Sequence, residues 1–452
     1  MDRHLTNVIL LGLAFMILFT AFQATGMVVQ SVLEGFKNET SDGRDFQGSG
    51  YISLAIVYAF GAVANIFAPV VVSILGLTLS MFIGATTYFV YVISFLSPRV
   101  WSFYLVSILL GIGAAILWTA EGAYLAFHSN ELTAGRNAGI FWALFQASLL
   151  PGSLYMYLSI DTEIITRSTR YPLFAVFSII SVVGLVVFVL LIWRRLIERR
   201  RQANSLLSSN SDEKTTINDI IQTLKIAFRL MKTRNMLLLL IPFAYTGFSQ
   251  TFFQTVYSTC IGHYIKYGAI RKRLIGLHGV VMGIGEILGG GLFGIITKPK
   301  TPSQRSLIIL IGCILQLIFY YSVFVNYPFD APAKETDRQP YFDLTSSNSQ
   351  LITFIGSFIV GFGDSCFNTQ LLYILASRYK ATSASAFAIF QLVQGVASAI
   401  AYMYASSLGL QYQLLIIVIA VISSTFAFFD ILFKDSDIDL DTSVQATDYP
   451  MS

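Results

Sequence analysis

Twelve apolar runs recur from one end of this 452-residue chain to the other. Each is about 20 residues long, which as a helix matches a hydrocarbon core of roughly 30 Å. Lipid offers no water to a bare backbone amide, so such a run is stable there only as a helix bonded to itself. The runs are Leu5 to Val32, Tyr51 to Ile74, Leu77 to Leu96, Trp101 to Phe127, Asn137 to Leu158, Pro172 to Trp193, Met236 to Gly262, Leu274 to Ile296, Ser306 to Asn326, Gln350 to Ser377, Thr382 to Leu408 and Tyr412 to Phe433. With 55% hydrophobic and 12% charged residues, the composition lies outside that of soluble domains. The expected fold class is an all-α polytopic membrane protein with twelve transmembrane helices. The first run exceeds the core of a signal peptide and no small-residue cleavage site follows it, so it is expected to be retained.

Two connections are long, Arg194 to Asn235 and Tyr327 to Ser349, and the first divides the runs six and six. That layout predicts the major facilitator fold, two six-helix bundles around a central cavity. The expected parts are a bundle over 1–193, a cytoplasmic loop over 194–235, a second bundle over 236–433 and an acidic disordered tail over 434–452. In the loop, RRLIERRRQ is a basic topology determinant facing anionic lipid. Ile217, Ile220, Ile221, Leu224, Phe228 and Met231 follow at three- and four-residue spacing, which predicts an amphipathic helix on the inner membrane surface.

Basic residues set the orientation. With both termini cytoplasmic, 18 of the 29 Lys and Arg face inward. Asn38-Glu39-Thr40, a glycosylation sequon, then lies in the first outer loop. Lys266, Arg271, Lys272 and Arg273 run against the rule, on the expected outer side, and nothing in the sequence accounts for them. Cys260, Cys313 and Cys366 fall in apolar runs, where a thiol packs as a small hydrophobe.

Three acids, Glu121, Glu286 and Asp364, lie well inside runs, and no Lys or Arg shares a run with them. A charge at the bilayer centre costs about 2.5 to 3.5 kcal/mol on insertion scales, so such residues need a function or a partner. They must be protonated, bind a cation or lean on neutral donors. Gly279, Gly283 and Gly290 share the face of Glu286, so that face is expected against a close neighbour. His278, nearer the outer surface, is expected to touch water. Ser357, Gly361, Asp364 and Asn368 form one stripe at the depth where a carrier keeps its site, or a polar clasp between helices. Glu121, on a face with Trp118 and His128, is expected deeper toward inner-side water. Gln23 in the first run, Gln146 in the fifth, and Gln391 and Gln394 in the eleventh add neutral stripes. The candidates for binding a substrate or cation are Asp364, Asn368, Glu286, Glu121, Gln23, Gln391 and Gln394.

The stretch GFGDSCFNTQ also has the form of a Gly-x-Gly-Asp intramembrane protease site. Such chemistry needs a second carboxyl sharing a proton with the first. The ninth run has no acid, and no Pro-Ala-Leu element follows. Glu286 is the one substitute in principle, but hydrolysis leaves the twelve-run layout unexplained, and no enzyme is expected.

The halves echo each other: TAFQ and TGFS, GIGAAILWTAEG and GFGDSCFNTQLL, IFWALFQ and IFQLVQ stand at corresponding positions. FTAFQATGMVVQSVL, LWTAEGAYLAFHSNELTAGRNAGIFWALFQAS, IGEILGGGLFG and GFGDSCFNTQLLYILA resemble the UNC-ninety-three-like branch of the major facilitator superfamily, from about Leu5 to Phe433. The resemblance implies a facilitator fold and a membrane location. Its members are described as a potassium-channel regulator, as an escort of nucleic-acid-sensing receptors, or as orphan transporters. Ordinary facilitators carry an acid and a base between helices two and three; PVVVSILGLTLSM has neither, while KPKTPSQR between helices eight and nine keeps the basic side. The expected function is a proton- or cation-linked carrier, with a regulatory or escort partner of another membrane protein as the alternative. Expected partners are membrane lipid, a small solute or cation, and another membrane protein. No cofactor, metal or nucleic acid is expected.

The orientation is testable directly. Deglycosylation should change the mobility of wild type and leave Asn38→Gln unchanged, and protease should reach the central loop only from the opposite side. A central loop cleaved from the glycosylated side would reverse the assignment.

Overall fold

A computed structural model describes residues 3–37, 47–130, 132–205, 225–293 and 301–433. The described elements are helical apart from one isolated bridge, between Tyr264 and Thr336. In order they are α1 (Arg3–Lys37), α2 (Gly50–Asn65), α3 (Ala68–Leu75), α4 (Leu77–Ser94), α5 (Val100–Phe127), α6 (Ala134–Gln146), α7 (Leu149–Ser159), α8 (Arg167–Ser205), α9 (Arg234–Thr251), α10 (Tyr257–His263), α11 (Arg271–Gly291), α12 (Pro302–Asn326), α13 (Ser346–Arg378), α14 (Ser383–Tyr404) and α15 (Leu410–Phe433). A π-helical turn at Phe252–Val256 joins α9 to α10.

Ten spans among the described residues are long and apolar enough to cross a membrane unaided, and α2 with α3, bent by 67°, makes an eleventh. Pro69 sits in the first turn of α3, where its missing amide costs no hydrogen bond. The expected fifth run is also broken, into α6 and α7 at Ala147 and Ser148, and each piece is short. Its ends nonetheless lie at opposite ends of the molecule. His128, before α6, meets His4 at the start of α1 at 3.0 Å, whereas Glu163, after α7, reaches Arg271 at the start of α11. The fifth run therefore passes from one end of the helices to the other, as the remaining runs do.

Helix α8 continues past Trp193 to Ser205, so the basic cluster prolongs a helix. Lys225 to Met231 is helical; the rest of the expected amphipathic helix, the sequon at Asn38, Lys298 and Lys300, and the acidic tail lie outside the described residues. All three cysteines are buried, as their positions in apolar runs predict.

Where α11 crosses α13, missing side chains let two backbones touch. A Cβ on Gly361 would stand 2.2 Å from the Met282 carbonyl oxygen, and one on Gly285 would stand 2.3 Å from that of Phe358. Neither carbonyl has a flexible atom to give way, so the crossing depends on glycine. Gly361→Ala should destabilise the protein by about 1 to 3 kcal/mol, read as a lower melting temperature in detergent. Gly291→Ala, which meets nothing within 4 Å, serves as the control. Equal melting temperatures for the two variants would refute the close crossing.

Candidate functional site

The α11–α13 crossing brings Glu286 and Asp364 within hydrogen-bonding reach of each other, at 0% and 3% exposure. Asp364 Oδ2 accepts from Asn368 Nδ2 at 2.8 Å, a bond between positions four apart on one helix. Glu286 Oε2 accepts from Trp142 Nε1 of α6 at 2.9 Å, while its Oε1 meets no N–H or O–H donor. Gln146, one turn beyond Trp142 in α6, is a further polar neighbour of Glu286. The Gln146 Oε1 accepts from Gln23 Nε2 at 3.1 Å, and the same Gln23 amide donates to Ser148 Oγ at 2.9 Å. The break between α6 and α7 thus has a local use, since it presents the Ser148 hydroxyl to Gln23. One polar chain runs from α1 through the α6–α7 break to α11 and α13, linking both halves of the sequence.

Next to this chain, a cavity lies between the halves, enclosing about 950 Å³ of space not filled by atoms, its open mouth included. Gln23, Glu121, Asn368, Gln391 and Gln394 line it; Glu286 and Asp364 do not. Trp142 and Asn368 belong to both places, lining the cavity while bonding Glu286 and Asp364. Gln394 Nε2 also donates to Thr246 Oγ1 at 3.2 Å. The structure therefore divides the seven candidates into a wall and a buried carboxyl pair behind it.

Two expectations fail here. His278 does not touch water: it is fully buried, with Nδ1 2.8 Å from Ser357 Oγ and Nε2 3.1 Å from the Phe253 carbonyl oxygen. Glu121 does not see inner-side water either. It is 1% exposed, and its Oε1 has no hydrogen-bond partner. Trp142, Ser148, Gln250 and Gln254 were not among the candidates; Trp142 and Gln146, four residues apart, carry the signal of a polar face on the fifth run.

The model of a family described as "Ion channel regulatory protein UNC-93" matches residues 45–429. The chain belongs to the UNC-93 family. It is 41% identical to "UNC93-like protein MFSD11" of Xenopus tropicalis, over 95% of this chain and 96% of that protein. It is 25% identical to "UNC93-like protein 3" of Arabidopsis thaliana, over 91% of this chain and 83% of that one. Its fold is that of the major facilitator superfamily. The proton:xylose symporter XylE superposes with a TM-score of 0.63 at 13% identity, covering 95% of this chain and 96% of that chain. The transporter FucP, in its outward conformation, gives 0.62 at 12% identity, covering 95% and 99%.

In this UNC-93 member the basic cluster without an account in the sequence pairs with acids distant in the sequence, on α1 and in two loops. Arg271 and Lys272 are buried at one end of the helices and both bind Glu335, at 3.1 and 3.2 Å. Lys272 lies 4.0 Å from Glu34 of α1, and Arg271 lies 3.7 Å from Glu163. His263 bridges Glu34 at 3.2 Å through Nε2 and the Ala331 carbonyl at 2.9 Å through Nδ1. A carbonyl only accepts, so Nδ1 donates, and the Glu34 contact needs a second proton on the ring or one on the carboxyl. Arg273 stacks over the Tyr157 ring at 4.2 Å and donates to its carbonyl. These contacts tie the two halves of the sequence together at that end.

Partial burial raises the Glu335 carboxyl, but Lys272 and then Arg271 outweigh it and hold it below the ordinary glutamate value of 4.5. A lowered carboxyl stabilises above its ordinary value and loses that contribution as pH falls through the lowered one. Glu335→Gln should therefore cost about 1 kcal/mol, partly screened because the side chain is part-exposed, and the melting difference from wild type should hold from pH 7 to about 5 and shrink below it. A difference that grows on acidification would contradict the assignment.

Proposed function

We propose that this protein is a carrier of a small solute whose movement is linked to a proton or cation held between Glu286 and Asp364. The observation that carries the reading is that Trp142 and Asn368 each touch the cavity on one side and a carboxyl of the pair on the other. Cargo pressing on either residue bears directly on the pair.

Two ionised carboxylates about 4 Å apart repel by roughly 4 kcal/mol at an effective dielectric of 20. The pair therefore holds one proton between its oxygens, or a cation replaces it. Glu286 is bonded to Trp142 from the first half of the chain, and Asp364 stands on α13 from the second. Loading or unloading the pair changes how strongly the halves are joined. A ligand moves a conformational equilibrium by its difference in affinity for the two states, and such a difference is built in here. In this reading 1–193 and 236–433 act as two bundles, the termini face the cytoplasm, and the Glu34–Glu335 end faces outward and closed.

A second reading, a regulatory or escort partner of another membrane protein, draws on the family description and on the α3–α4 junction, where Gly76 joins two helices without an acid or base. Co-purification of a stoichiometric membrane partner without solute flux favours it. Peptide hydrolysis gains the second carboxyl it needs, but Glu286 and Asp364 stand behind the cavity wall, where a peptide and a water have no access to both.

A proteoliposome flux screen with an internal pH-sensitive dye tests the carrier. Asp364→Asn keeps shape and hydrogen bonding and removes the charge. It should leave yield and monodispersity intact and abolish ion-linked uptake, with Glu286→Gln weaker in effect and Glu121→Gln weakest on proton movement. Wild-type proton coupling in Asp364→Asn, with misfolding of Asp364→Ala, would make the residue a structural clasp.

A further inference from the structure

We infer that the central cavity binds a small organic cation carrying an apolar group, with its positive centre at Glu121. The inference rests on the carrier reading for its purpose, but its evidence is separate, because Glu121 is not part of the Glu286–Asp364 pair.

Ala114, Ala115, Trp118 and Glu121 recur at helical spacing along α5 and all line the cavity, so the cavity face of the helix ends in this carboxyl. Glu121 Oε1 is buried without a hydrogen-bond partner. A buried acceptor left unsatisfied costs about 1 to 3 kcal/mol, and an ionised one more, so this carboxyl ionises only when a positive partner from outside the chain stands beside it. Among the described residues that line the cavity there is no Lys or Arg. The cavity thus offers a carboxyl without a basic partner and no cationic side chain to balance an anion.

What surrounds the carboxyl selects the kind of cation. Tyr58, Trp118, Phe387 and Phe390 share the lining with Glu121, and Phe387 packs against the neighbouring Gly122. Aromatic faces attract a cation by about 0.5 to 2 kcal/mol each and at the same time accept apolar groups attached to it. A small inorganic divalent ion wants six or more oxygens, and rings do not supply them. The amides of Gln391 and Asn368, on the same lining, remain to orient a polar group at the far end of a solute.

Phenyltrimethylammonium and tert-butylbenzene have the same shape and differ in charge, which makes them the probes. Radiolabelled phenyltrimethylammonium should bind the purified full-length protein saturably, and tert-butylbenzene should fail to displace it. Glu121→Gln, if monodisperse and unchanged in melting temperature, should weaken binding at least tenfold; Trp118→Leu should weaken it several-fold and serves if Glu121→Gln does not fold. Equal competition by the neutral probe, or unaltered binding in a folded Glu121→Gln, overturns the inference. Glu121-dependent binding with no proton movement in vesicles upholds it while sinking the proton-linked reading. Proton-coupled uptake of a neutral solute without cation binding does the reverse.

Discussion

Two carboxyls pressed together out of reach of water impose a condition that the surrounding helices meet. Glu286 and Asp364 meet only because α11 and α13 cross backbone to backbone at Gly285 and Gly361. Once there, they need a shared proton or a cation, and they need donors for their outer oxygens. Asn368 supplies one donor from the same helix; Trp142 supplies the other from a helix early in the chain. Gln146, Gln23 and the Ser148 hydroxyl extend the same network to α1. The break in the fifth run, a defect in a helix considered alone, is where this network reaches α1, and the Trp142–Glu286 bond carries it between the halves.

The far end of the helices shows the same logic with opposite signs. Arg271 and Lys272 are buried, and burial of cations is tolerable only with acids at hand. Glu34 near the end of α1 and Glu163 and Glu335 in two separate connections supply them. The connection between α12 and α13 is held in place by backbone bonds from Ile265 to Thr336 and from Thr336 to His263. Together these two polar systems, one at an end and one beside the cavity, join parts of the chain that hydrophobic packing alone would leave free to slide in lipid.

Much of the fold was legible because its signals are local. Run length gives the helices, and the spacing of Asp364 and Asn368 gives their bond before any tertiary structure is known. The glycine face around Glu286 likewise announces a close neighbour, and Gly279 and Gly290 do pack against Ser153 and Ala143 of the fifth run. Which neighbour is a different matter. Trp142 and Glu286 are 144 residues apart, and Glu34 and His263 are 229 apart, so helical spacing carries no information about either contact. His278 was misjudged for the same reason. Its depth in the helix is readable, but Ser357 and the Phe253 carbonyl, which satisfy its ring, come from other helices.

The central claim is that Glu286 and Asp364 act as one proton-sharing unit. Infrared spectra of the purified protein at neutral pH measure this directly, through the stretching band of protonated carboxyl groups. The account predicts a band that Glu286→Gln and Asp364→Asn each shift or remove, since either substitution takes away the partner that shapes the proton's environment. Two independent bands, each deleted by one substitution and left unmoved by the other, would contradict it.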